Sequence, residues 1–278
     1  MALIQVNFLS ESLMRTVPFQ VILPVDKLAF PGMPQRENKP FKTLYLLHGI
    51  FGNYTDWVSG TNIQRWAEEK DLAVVMPSGD NYFYIDQTDP HNYYGEFIGR
   101  ELVEITRKMF PLSGKREDTF IAGLSMGGYG AIRNGLKYHD TFGYIGGLSS
   151  AMVIDGLEAR TNDHPFFIER RDFAESIFGD LAEVKESDKN PEWLVKKLTD
   201  EHAELPKMYL ACGTEDSLLE ANRKLWNFLR ASGAEVTCEE GPGGHEWDFW
   251  NRYIKKFIDW LPLEENAEAG VNSGNVGI

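Results

Sequence analysis

The sequence is poor in cysteine, in positive charge and in long apolar runs. Two cysteines in 278 residues, Cys212 and Cys238, do not make a disulfide framework. Both fall in stretches that read as strands, where a small buried hydrophobe is the ordinary role. No run approaches the ~18 consecutive apolar residues of a membrane-spanning helix. The start, Met1 to Val6, lacks the basic beginning and long apolar stretch of a secretory leader. A soluble, cytoplasmic protein without membrane insertion is therefore expected. Lys and Arg number 28 against 42 Asp and Glu, a net charge of −14. Such a field repels nucleic acid and anionic surfaces and disfavours polyanionic substrates. No His or Cys cluster has metal-ligand spacing, so the expectation is no catalytic metal and no other cofactor.

What is present is enough apolar material for a sizeable core: 42% of the residues, with 13% aromatic. Residues 2–10 and 15–23 alternate apolar and polar side chains on either side of a short turn, which predicts an antiparallel hairpin at a sheet edge. Residues 43–48, 72–76, 119–122, 142–148, 208–212 and 236–239 read as further strands, near-continuous apolar runs among them suiting a parallel sheet. Helical spacing recurs over 62–70, 94–110, 130–139, 217–232 and 246–260, and Asn190-Pro191 opens another helix. Residues 31–40, 49–57 and 77–92 read as loops. Strands alternating with helices imply an α/β fold, a mostly parallel central sheet with right-handed crossovers and helices on both faces. One domain is expected over 1–263, with the irregular stretch 150–204 as a small cap insertion. The acidic, small-residue stretch 264–278 is expected to be a flexible tail.

The organising stretch is Gly123-Leu124-Ser125-Met126-Gly127, a G-x-S-x-G pattern between a strand and a helix, followed by Gly128 and Gly130. A strand turns directly into a helix only if the corner residue takes a strained backbone conformation, and small residues on either side let the arms approach. That is a nucleophile elbow, with Ser125 raised at the C-terminal edge of the sheet over a helix N-terminus. A Ser hydroxyl is a poor nucleophile near neutral pH; it needs a base, and the base needs an orienting carboxylate. On such a fold the order along the chain is Ser, acid, His. Four histidines follow Ser125. His139 lies at the far end of the elbow helix, and His164 and His202 stand in polar, charged surroundings as surface residues do. His245 follows the last strand in a glycine-rich loop that can lift an imidazole over the sheet edge, so His245 is read as the base. Glu215 and Asp216 both follow the preceding strand. Asp216 is the choice, although periodicity does not separate it from its neighbour and either carboxylate could simply favour the next helix N-terminus.

A tetrahedral intermediate needs donors for its oxyanion. The backbone amide of Met126 is one candidate. Ile50 is the other, in the loop after His48, where Gly49 and Gly52 let the backbone face inward. His48 itself reads as structural. Phe51, Trp57 and Tyr84 lie on loops expected near Ser125 and are candidate substrate contacts, with ordinary packing as the alternative for each. Trp247 and Trp250 read as core behind His245.

Four stretches carry a resemblance: 46–57 (LLHGIFGNYTDW), 123–131 (GLSMGGYGA), 212–216 (CGTED) and 243–250 (GGHEWDFW). Together they resemble the esterase D family, in particular its bacterial tributyrin-esterase branch, over about residues 2–262. The resemblance implies an α/β-hydrolase fold and carboxylester hydrolysis without a cofactor. It favours Asp216 over Glu215 and hints at a homo-oligomer. The expected function is that of a serine carboxylesterase acting on short-chain acyl esters, small-molecule substrates, through Ser125, His245 and Asp216 and an acyl-enzyme. Alternatives within the resemblance are an S-formylglutathione thioesterase, an acetylated-sugar or feruloyl esterase, and an acyltransferase. The intact Ser, acid and His argue against a non-catalytic binding module.

Overall fold

The structure is a computed structural model that describes residues 1–27, 39–88 and 90–263. The expected tail over 264–278, and most of the expected loop at 31–40, lie outside them. Eight strands form one sheet in the order β1-β2-β4-β3-β5-β6-β7-β8. The strands β1 (Ala2–Ser10) and β2 (Arg15–Leu23) pair antiparallel as the hairpin that their alternation predicts. Along β1 half-buried and exposed side chains alternate, as on an edge strand with one solvated face. The remaining strands are β3 (Thr43–Leu47), β4 (Ala73–Pro77), β5 (Thr119–Leu124), β6 (Tyr144–Leu148), β7 (Lys207–Gly213) and β8 (Val236–Gly241). They are all parallel to one another, and β2 joins them antiparallel to β4. The parallel register brings the C-terminal ends of β3, β5, β6 and β7 to one edge.

The helices are α1 (Asp56–Gly60), α2 (Ile63–Glu69), α3 (Tyr94–Glu96), α4 (Leu102–Met109), α5 (Met126–Lys137), α6 (Arg171–Phe178), α7 (Pro191–Asp200), α8 (Leu219–Ala231) and α9 (Trp247–Trp260). They divide between the two sheet faces because successive strand residues point to opposite sides. Leu44 and Leu46 join Trp57, Ile63, Phe257 and Ile258, from α1, α2 and α9, in one cluster. Tyr45 and Leu47 join Leu102, Ile132, Val195 and Leu229, from α4, α5, α7 and α8, in the other. Each fully buried side chain of this size contributes about 1.5–3 kcal/mol relative to exposure.

Two elements differ from the sequence expectation. A helix was expected to run unbroken over 94–110, but between α3 and α4 the backbone is π-helical over Phe97–Glu101. The wide turn holds Gly99, where a Cβ would fall 2.0 Å from the Tyr138 ring. The stretch 49–57 was expected to be loop, yet α1 begins at Asp56. Residues 150–204 are short helical pieces. Their apolar side chains (Ile154, Leu157, Ile177, Phe178, Val184) belong to the same cluster as one face of the sheet. Here α7 starts at Pro191, with the Asn190 side chain accepting from the Glu192 amide at 3.0 Å. Among the described residues, no helix is long and apolar enough to cross a membrane.

Candidate active site

Ser125 is the corner between β5 and α5, at φ 53° and ψ −119°. A non-glycine residue there carries about 1–3 kcal/mol of backbone strain, which the surroundings hold in place. The Ser125 amide donates to the Leu148 carbonyl at 2.9 Å, and the Ser125 carbonyl accepts from the Ala151 amide at 2.9 Å. The flanking glycines are required by contact. A Cβ on Gly123 would stand 2.3 Å from the Gly127 carbonyl oxygen, and one on Gly127 would stand 2.4 Å from that of Leu47. The elbow therefore presses directly against the end of β3.

His245 comes from the loop between β8 and α9. Gly243, at φ 133°, turns that loop, and its carbonyl occupies the place a Cβ on Gly213 would take, at 2.0 Å. The loop thus sits down on the end of β7. There His245 Nε2 lies 2.9 Å from Ser125 Oγ, and Nδ1 lies 2.9 Å from Asp216 Oδ2. The other carboxylate oxygen of Asp216 accepts from the Leu218 amide at 2.9 Å. Burial would raise the Asp216 carboxyl, but hydrogen bonds from His245 and the Leu218 amide outweigh it and hold the group below its ordinary value. A buried acceptor facing Nδ1 fixes the tautomer that leaves Nε2 as a lone-pair acceptor toward a hydroxyl. Glu215, one residue earlier, is exposed and accepts from the Gly243 amide at 2.6 Å. The structure brings Asp216, and not Glu215, to the imidazole.

The loop after β3 lies across the elbow: a Cβ on Gly49 would stand 3.5 Å from Ser125 Cβ. Its peptide planes are fixed from behind. Burial lowers the His48 imidazole, keeping it neutral. His48 Nε2 accepts from the Gly79 amide at 2.9 Å, so the proton is on Nδ1, which donates to the Gly49 carbonyl at 2.6 Å. Gly49 C=O and Ile50 N–H belong to one trans peptide and point in opposite directions. Holding the carbonyl on His48 therefore turns the Ile50 amide away from His48. Tyr84 acts similarly one peptide earlier, its hydroxyl donating to the His48 carbonyl at 2.9 Å. Among the described residues, neither the Ile50 amide nor the Met126 amide has a hydrogen-bond acceptor. Met126 is the first residue of α5, where no intrahelical acceptor exists.

The three residues read as substrate contacts have different places. Phe51 is 62% exposed at φ 68°, with its ring 6.0 Å from that of Phe167. Tyr84 is fully buried, and its ring fills slots where a Cβ on Gly79 or Gly130 would fall 2.0 or 2.5 Å away. Trp57 is 1% exposed; its indole donates to the Leu47 carbonyl at 3.0 Å and meets Trp247 edge-on. Tyr84 and Trp57 thus support the loop from inside and offer no face to a ligand, a correction to the reading of both as substrate contacts. The other three histidines after Ser125 stay apart from this group: His139 faces Asp140, and His164 and His202 are exposed. Sequence reasoning missed Ser149 and Asn222, which no local pattern marks. Trp250, read as core behind His245, stands directly against the imidazole at 4.9 Å. The two thiols are free, and burial pushes Cys212 up to about 12 and Cys238 up to about 11, which keeps both protonated.

Comparison with known proteins shows the family of the chain. The family model named Esterase matches residues 10–260. An acetyl esterase of Caldicellulosiruptor saccharolyticus is 45% identical over 261 residues, covering 94% of this chain and 98% of that protein. Two solved structures from Staphylococcus aureus are each 34% identical, over 94% of this chain and 98% of theirs. One is a fluorophosphonate-binding serine hydrolase with substrate bound, at a TM-score of 0.81. The other is an S-formylglutathione hydrolase apoenzyme, at 0.79. With a family match over most of its length and such relatives along nearly all of it, the chain belongs to the esterase family, as carboxylic ester hydrolases on an α/β-hydrolase fold do.

Proposed function

We propose that the protein is a serine carboxylesterase that cleaves short-chain acyl esters through an acyl-enzyme. The observation that carries this reading is the continuous hydrogen-bonded series Ser125 Oγ, His245 and Asp216, with 2.9 Å at both steps. As Ser125 Oγ attacks the ester carbonyl, His245 Nε2 takes its proton, and Asp216 holds the ring and offsets the charge of the imidazolium. The carbonyl oxygen, now an oxyanion, accepts from the amides of Ile50 and Met126, each such donor being worth about 10²–10³ in rate. His245 returns the proton to the leaving alcohol as the C–O bond breaks. Water, deprotonated by the same nitrogen, then attacks the acyl group and releases Ser125. Phe51, the exposed aromatic next to Ile50, is the side chain we assign to substrate contact at the mouth.

Short acyl chains are supported by the likeness to an acetyl esterase. The likeness to an S-formylglutathione hydrolase favours a second reading, in which the scissile bond is a thioester. One experiment covers both. kcat/KM is measured for 4-nitrophenyl esters from acetate to octanoate and for a matched acetyl thioester, with Ser125→Ala in parallel. Fluorophosphonate labelling of parent and variant is read by intact mass. Labelling at Ser125, an inactive but folded variant and a decline beyond butyrate are the expected results. A Ser125→Ala protein that keeps most of its activity removes the mechanism. A peak at octanoate removes the chain-length assignment, and a thioester preferred over its oxoester replaces the substrate class.

A further inference from the structure

Beyond β6 the chain turns through Ser149, Ser150 and Ala151, and each of the three touches a different support of the Ser125 site. The Ala151 amide donates to the Ser125 carbonyl at 2.9 Å. The backbone of Ser150 is gripped by the buried side chain of Asn222: its amide donates to Asn222 Oδ1 at 3.2 Å, and its carbonyl accepts from Nδ2 at 2.9 Å. Asn222 Nδ2 also donates to the Leu218 carbonyl at 2.9 Å, and the Leu218 amide is the one that holds Asp216. Ser149 reaches the third member. Its Oγ lies 3.2 Å from Trp250 Nε1, and the Trp250 ring stands edge-on to the His245 imidazole at 4.9 Å and 90°.

The direction of the Ser149 bond follows from its partner. An indole N–H only donates, so the Ser149 hydroxyl accepts from Trp250. Ser149 is fully buried and sits at φ 47°, a left-handed conformation that favours glycine. Its amide is tied to the Ala211 carbonyl of β7 at 2.8 Å. The chain thus places a serine, with its hydroxyl pointed inward, where backbone conformation alone prefers a residue without a side chain. A strained position beside a reacting group is an observation from which function is inferred.

We propose that Ser149 is a positioning residue for acyl transfer. Its hydroxyl accepts from Trp250 Nε1 and so holds the indole ring against which His245 rests. The proposal rests on the reading of Ser125, His245 and Asp216 given above. The step it acts on is the proton transfer from Ser125 Oγ to His245 Nε2, and Ser149 itself neither gains nor loses a proton.

The test uses Ser149→Ala and Ser149→Gly in the whole chain. Both remove the hydroxyl, but only Gly also relieves the left-handed backbone. A positioning role predicts that both lose kcat on 4-nitrophenyl acetate, on the order of 10- to 10²-fold, with KM little changed. The melting temperature of the Gly variant should equal or exceed that of the Ala variant. Trp250→Phe, which removes only the N–H donor and some ring area, is expected to lower kcat in the same manner. Its effect should be less than additive with Ser149→Ala, because the two side chains act as one unit. Retention of the parent kcat by either Ser149 variant overturns the proposal, as does recovery of kcat in Gly but not in Ala, which assigns the effect to backbone strain. Additive losses in the double variant overturn the coupling to Trp250. Ser125→Ala is assayed alongside. Activity surviving there defeats the underlying mechanism, whereas an inactive Ser125→Ala with active Ser149 variants defeats only the role of Ser149.

Discussion

Glu215 and Asp216 are consecutive carboxylates at the end of β7, and one residue of difference sends them to unlike surroundings. Asp216 turns inward to His245 Nδ1 and the Leu218 amide, while Glu215 stays in solvent against the Gly243 amide. Asp216→Asn keeps the shape but substitutes an amide for the charged acceptor. The ring then loses the partner that fixes its tautomer, and kcat is expected to fall by about 10³–10⁴ with the fold retained. Glu215→Gln disturbs only an exposed contact and should leave kcat/KM within about twofold of the parent. Steady-state kinetics on both variants decide the matter, and a larger loss at Glu215 than at Asp216 would exchange their roles. Sequence order pointed to Ser125 and His245, since each stands alone in its loop. It left the carboxylate open, because a strand end does not tell which of two neighbouring side chains the following turn directs inward.

Among the elements, the elbow is where spacing and structure agree most closely. Gly123 and Gly127 are small because backbone atoms of β3 and α5 occupy their Cβ positions. In an ordinary helix, Gly to Ala stabilises by about 1 kcal/mol. At Gly127 the sign reverses, since the new Cβ would lie 2.4 and 2.5 Å from the carbonyl oxygens of Leu47 and His48, and rigid backbone cannot yield as a side chain can. Gly127→Ala is expected to lower stability by about 3 kcal/mol in urea denaturation. Gly156→Ala, with nothing within 4 Å of its Cβ, serves as the neutral control. Equal denaturation midpoints for both variants would contradict the packing. The strands were legible for a related reason: an apolar run buried on both faces has few other places to go. The π-helical turn at Phe97–Glu101 and the burial of Tyr84 were not legible. Each depends on a ring fitting against a glycine distant in sequence, Tyr138 on Gly99 and Tyr84 between Gly79 and Gly130. Trp57 has the composition of a loop aromatic, and only the approach of Leu47 gives its indole a buried acceptor.

Across the whole molecule, one charged cluster ties the elbow helix to the two least regular stretches. Arg133, on α5, is 1% exposed; its Nη2 lies 2.6 Å from Asp188 Oδ2, and its Nε donates to the Asp188 carbonyl at 3.0 Å. Lys137 bridges Asp188 and Asp86 at 2.8 and 3.0 Å. Asp86 belongs to the stretch that carries Tyr84, and Asp188 to the stretch before α7, so the cluster binds both to the helix that begins at Ser125. Burial would raise the Asp188 carboxyl, but Arg133, Lys137 and Lys189 outweigh it and bring the group below its ordinary value of 3.8. A carboxylate whose pKa is depressed by folding stabilises the fold at pH values above the unfolded pKa, and that contribution disappears as pH falls through the folded pKa. Arg133→Met should therefore cost about 1–3 kcal/mol at neutral pH, the lower end reflecting the solvent that reaches Asp188. Measured by urea denaturation at a series of pH values, the gap between parent and variant should hold from neutrality down to about pH 4. Below that it should narrow as Asp188 protonates in both proteins. It should not close, because the bonds from Arg133 to the Asp188 carbonyl and to Asn134 Oδ1 carry no titrating partner. A gap that stays constant through the acid range would mean that Arg133 acts through those neutral bonds alone, and one that widens would give the charged pair the wrong sign.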